Sequence, residues 1–175
     1  IRDFEGAYED INAAYQFKPD NINVIINMGT ICDLTKRQDR ALTLYKEAYT
    51  IDSTNFYVLN NLGFKYQKLG IDDSAIIFLD KAIELGANVA LSYNNRSYSK
   101  KKLGDLEGAL ADVNKSIQLY PSNSYAYRNR ALIYLKVGKT EEACQEMDIA
   151  LERGFTEQYG DEVLFYSAFF RYPCT

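Results

Sequence analysis

Alanine stands at Ala7, Ala41, Ala75, Ala109 and Ala143, each 34 residues after the last. Nothing else in the chain restricts its fold as severely. The same step carries Gly70 to Gly104 and Gly138, and a small-residue series runs Ala14, Ala48, Ala82, Ser116, Ala150. Another runs Gly29, Gly63, Ser97, Ala131. Two apolar series keep the same register: Ile11, Tyr45, Leu79, Val113, Met147, and Ile25, Leu59, Tyr93, Tyr127. A fixed period of this length marks a stack of like units, each too small to bury its apolar face alone.

Residues 90–121 show one unit most plainly. They read as two amphipathic helices broken at Leu103, Gly104 and Asp105. Tyr93, Ser97 and Leu103 make a stripe on the first helix; Ala109, Val113, Ser116, Ile117 and Leu119 make one on the second. That spacing suits helices with one buried face. Gly104 suits the left-handed residue that ends a helix, and Pro121 cannot continue one. Small residues let two helix backbones approach, and large residues opposite them fill the remaining gap.

A two-helix unit of 34 residues resembles the tetratricopeptide repeat. Leu59, Leu62, Gly63, Tyr66, Ala75, Leu79, Ala82 and Ala87 follow that family's pattern position by position. Tyr127, Ala131, Tyr134, Ala143, Met147 and Ala150 follow it again. The resemblance implies an all-α fold, a right-handed superhelix of helix-turn-helix repeats (an α-solenoid), with the first helix of each pair lining a concave groove. The expected organisation is the second helix of an incomplete repeat over 1–19, four complete repeats over 22–155, and a capping helix and tail over 156–175. Asp161 is expected to cap that last helix, which runs to about residue 170 and is apolar nearly all round. With no first helix ahead of it and no initial Met, the chain reads as part of a longer protein, with the face of Ala7, Ile11 and Ala14 uncovered. Thr35, Lys36, Arg37 and Gln38 replace the Leu-Gly turn, so that connection is expected to be strained or differently shaped.

Composition narrows the function. The 20 basic and 24 acidic residues leave a net charge of −4, which argues against general nucleic-acid binding. No apolar run reaches the roughly 18 residues that a membrane span needs. The chain has no histidine, and its three cysteines show no CxxC or other metal spacing. Cys32 takes a core position; Cys32, Cys144 and Cys174 are read as structural thiols of a cytoplasmic protein, with no metal and no cofactor. Asp72, Asp73, Glu141 and Glu142 fall at helix starts, where the helix dipole favours them. No nucleophile with a base and no phosphate-cradling glycine loop is present, so the chain is not expected to be an enzyme.

One exchange crosses the repeats. Met28, Leu62, Arg96 and Arg130 share a register, and sixteen residues on stand Leu44, Phe78, Asp112 and Glu146. Apolar meets apolar and arginine meets acid in all four, so these positions are expected to touch within each repeat. The groove-facing positions give Asn27, Asn61, Asn95 and Asn129, preceded by Asn60, Asn94 and Arg128 in the later repeats. Tyr57, Tyr98 and Tyr125 add contact area, and Lys102 and Lys136 a basic rim. Lys101 falls on the far-end series Asp33, Gln67, Lys101, Leu135. An amide both donates and accepts, so such a row satisfies the backbone of an extended peptide; the alternative is that each amide ties neighbouring helices.

Some tetratricopeptide members hold a partner's terminal carboxylate in a clamp of Lys, Asn and Arg. The matching positions here are Ile26 and Thr30, or Asn60 and Phe64, and then Leu91 and Asn95, or Tyr125 and Asn129. That clamp is not expected. The expected function is a non-enzymatic protein-interaction scaffold holding a protein or peptide segment, acidic by the basic rim, with no membrane insertion. The other reading is a self-assembly module, a homodimer through the N-terminal half-repeat and the aromatic C-terminal helix.

Overall fold

The computed structural model describes residues 4–86 and 89–155. Ala87, Cys174 and the expected capping helix with Asp161 lie outside them. All regular structure among the described residues is helical: α1 (Phe4–Phe17), α2 (Ile22–Leu34), α3 (Gln38–Ile51), α4 (Phe56–Lys68), α5 (Asp72–Glu84), α6 (Val89–Leu103), α7 (Leu106–Leu119), α8 (Ser124–Lys136) and α9 (Thr140–Glu152). The helices pair in chain order, α2 with α3, α4 with α5, α6 with α7 and α8 with α9. The chain forms two compact units, residues 1–87 and 88–175.

The first unit has an aliphatic and aromatic core of Ile25, Met28, Leu44, Tyr45 and Leu62, against which Ile11 and Phe78 pack. The expected apolar pairs Met28 with Leu44 and Leu62 with Phe78 therefore share one cluster. Asparagine starts the first helices. The Asn21 side chain accepts from the amides of Asn23 and Val24, and Asn55 from those of Tyr57 and Val58, which satisfies donors left over at a helix N-terminus. Glycine at 29 and 63 follows from close approach: a Cβ there would lie 2.5 Å from Tyr45 Cε1 and 2.6 Å from Leu79 Cγ. Polar contacts spanning 32 residues lace the second helices. Tyr15 Oη donates to Glu47 at 3.0 Å, Arg37 at the start of α3 pairs with Glu5 at 2.9 Å, and Lys81 Nζ donates to Tyr49 Oη at 2.9 Å.

The α2–α3 connection is strained but not reshaped. Lys36 has φ of 62°, where its counterparts Gly70, Gly104 and Gly138 have 74°, 91° and 78°. The turn keeps the left-handed residue and places a lysine in it.

In the second unit α6 buries Ser92, Asn94, Ser97, Ser99 and Lys101. Ser97 Oγ donates to the Ala109 carbonyl at 2.8 Å and Ser116 Oγ to that of Ala90 at 2.7 Å, so each helix of the pair gives one hydroxyl to the other's backbone. Leu103 and Leu119, expected on the buried stripes, are exposed. Each is the last residue of its helix, where the chain turns away from the core. Both arginines meet their acids. Arg96 Nε and Nη2 lie 2.7 and 2.6 Å from the Asp112 carboxylate, and Arg130 Nη2 lies 2.7 and 2.8 Å from that of Glu146.

Cys32 is a buried free thiol whose pKa burial pushes up. Cys144 is disulfide-bonded, which corrects the reading of it as a thiol. An odd cysteine count fixes that one is left over without saying which.

Candidate peptide-binding face

The first helices carry the candidate residues. In the first unit Asn27 and Tyr57 are exposed, and Asn60 and Asn61 are half-buried. The Tyr57 ring stands edge-on to Phe56 at 5.5 Å. Near this set Lys65, only 1% exposed, is held by a 2.5 Å ion pair with Asp33 and by the Gln38 side-chain oxygen. Tyr45 Oη donates to the other Asp33 oxygen at 3.2 Å. A buried ammonium needs such compensation, because leaving water costs several kcal/mol.

In the second unit, α6 and α8 pack together. Two of the candidate amides serve that packing: Asn129 Nδ2 donates to Asn94 Oδ1 at 2.9 Å, with exposures of 4% and 6%. Arg128 Nη1 reaches Asn129 Oδ1 at 3.5 Å, and its guanidinium lies 5.6 Å from the ring centre of Phe155. Tyr125 meets the same ring edge-on at 5.6 Å. Asn95 is half-buried on α6.

Four candidates line one recess of about 370 Å3: Tyr98, Lys102, Arg128 and Lys136, joined by Lys101, Leu132 and Leu135. Lys101 was not among the expected site residues. The signal available was its 34-residue series, Asp33, Gln67, Lys101, Leu135, which places a lysine in register with Leu135. Lys101 is only 5% exposed. Burial first, then the charges of Arg128, Lys102 and Lys136, push its pKa down to about 7. Its ammonium nitrogen lies 4.5 Å from the Tyr98 ring centre, a partial compensation. On α7, the Asp112 carboxylate is held by Arg96 and by Lys100 at 2.9 Å.

Among the described residues no group of three or more Cys, Asp or Glu side chains is placed to hold a metal ion. No described helix is long and apolar enough to cross a membrane.

Family profiles described as tetratricopeptide repeat match residues 90–123 and 113–145. No curated protein matches the sequence. Among solved structures, the chain is similar to MamA at 23% identity, over 89% of this chain and 91% of that one, with a TM-score of 0.70. It is similar to PilW, a type IV pilus biogenesis factor, at 21% identity over 86% and 70%, with a TM-score of 0.79. YrrB, a tetratricopeptide protein with an unusual peptide-binding site, matches at 18% identity over 94% and 83%, with a TM-score of 0.66. Residues 90–145 therefore carry tetratricopeptide repeats, and the described helices share the fold of tetratricopeptide-repeat proteins.

Proposed function

We propose that the chain is a non-enzymatic interaction scaffold that holds a peptide segment of a partner along α6 and α8. The observation that carries this reading is the recess between those helices. Its walls mix Leu132 and Leu135 with Tyr98 and three peripheral cations, Lys102, Arg128 and Lys136. A mainly apolar concavity with a few convergent polar groups suits ligand binding, and repeat arrays use the surface of their stacked helices in this way. Asn95 and Tyr125 extend the proposed face along α6 and α8. Asn27, Tyr57, Asn60 and Asn61 make the corresponding set in the first unit. Asn94 and Asn129 contribute by keeping α6 and α8 in register.

The test is a selection of peptides from a random library against the full chain, followed by hydrogen exchange with the selected peptides bound. Protection is expected on α6 and α8. Tyr98→Ala combined with Leu132→Ala should weaken binding more than tenfold, about 1.4 kcal/mol, with the melting temperature nearly unchanged. Protection elsewhere, or a stable dimer by light scattering that selects no peptide, overturns the reading.

A further inference from the structure

The molecule contains two buried lysines, and they are treated differently. Lys65 in the first unit has a carboxylate and an amide oxygen. Lys101 in the second unit has neither, and no carboxylate among the described residues pairs with it. Register sharpens the contrast, because Asp33, the acid that serves Lys65, is the repeat counterpart of Lys101.

Among the described residues, the charges acting on Lys101 come from α6 and α8. From α6 come Tyr98 and Lys102, and Lys100 turns to Asp112. From α8 come Arg128 and Lys136. On α7, Asp112 is held by Arg96 and Lys100. Four cationic side chains thus converge on one recess, beside the apolar Leu132 and Leu135. A buried ammonium without an anion is costly, and a carboxylate brought by a ligand removes that cost.

We propose, on the scaffold reading above, that this recess seats the carboxylate of an acidic residue in the bound peptide against Lys101, with an apolar neighbour on Leu132 and Leu135, and that seating it takes up a proton. The unbound amine, with a pKa of about 7, is roughly half uncharged at neutral pH. A carboxylate beside it favours the charged form, so the complex binds more protons than its parts. Linkage then fixes the sign: affinity falls as pH rises above about 7, by up to about tenfold per pH unit. Lys101 and Lys102 stand in registers that the family's carboxylate clamp does not use, although Arg128 shares the register of Ile26 and Asn60, and Tyr98 and Leu132 that of Thr30 and Phe64.

The probes are a blocked tetrapeptide alternating leucine and glutamate and its glutamine counterpart. The full chain, labelled with nitrogen isotope at lysine, is followed by NMR during a pH titration and by calorimetry in buffers of different ionisation enthalpy. The expected result is a Lys101 that titrates near neutrality alone and at least one pH unit higher with the glutamate peptide. Proton uptake should accompany that peptide only, and Lys101→Met should abolish both the uptake and the preference for glutamate. Equal binding of both peptides on α6 and α8 with Lys101 unmoved overturns the carboxylate seat and leaves the scaffold reading standing. Perturbation of neither helix by either peptide overturns both. A Lys101 that titrates like an exposed lysine in the free chain overturns the seat directly.

Discussion

Lys36 holds the left-handed backbone that Gly70, Gly104 and Gly138 hold in the other repeats. For a residue with a Cβ that conformation costs about 1–2 kcal/mol, and glycine gives back about 0.4–1 kcal/mol through its freer unfolded state. Lys36→Gly should therefore stabilise the chain by about 1 kcal/mol, raising the melting temperature by about 2–4 °C for a chain of this size. A thermal melt checks this; an unchanged or lower midpoint contradicts it. The sequence shows the departure at this turn, because three glycines in register make the fourth position conspicuous. It does not show whether the loop changes shape or absorbs the strain, since both depend on what holds the two helices. Lys101 is harder to read for a similar reason. A run of three lysines, Lys100 to Lys102, looks like a solvated helix end, and only the packing of α8 on α6 buries the middle one.

At the scale of elements, the paired helices work as interchangeable parts with a chosen filling. The slot taken by Leu62 and Phe78 in the α4–α5 pair is taken by Arg130 and Glu146 in α8–α9. Breaking such a partly buried pair leaves one charge uncompensated, while replacing both partners by apolar residues of similar volume is often neutral. Arg130→Leu or Glu146→Phe alone should cost about 2–4 kcal/mol. The double variant should return to within about 1 kcal/mol of the parent, a coupling that a double-mutant cycle in denaturant reads directly. Costs that simply add would mean the two positions do not share a slot. This pairing is legible from sequence because helix geometry makes the 16-residue offset rigid. The buried face of α6 is legible only at Ser97, in register with Gly29 and Gly63, since periodicity counts apolar residues and this helix also turns Ser92, Asn94 and Ser99 inward. Asn94 and Asn129 belong to the same lesson: the repeat places them on adjacent helices, but only the 2.9 Å bond shows that they use each other.

Over the described residues, a 34-residue period makes helix pairing and order readable in advance, because each repeat contacts only its neighbouring repeats. What each unit is made of is a separate matter. The first is knit by Ile25, Met28, Leu44 and Tyr45. In the second, α6 meets its neighbours largely through the hydroxyls of Ser97 and Ser116 and the Asn94 amide. Apolar surface exposed on unfolding raises the heat capacity, and polar surface lowers it. Scanning calorimetry should thus find an unfolding heat capacity for the chain below the usual range of about 12–15 cal/mol/K per residue. A value at the top of that range would show that apolar burial dominates throughout. A small heat-capacity change flattens the curve of stability against temperature, so the serine-lined helix makes its unit less sensitive to cold than an aliphatic one of equal strength.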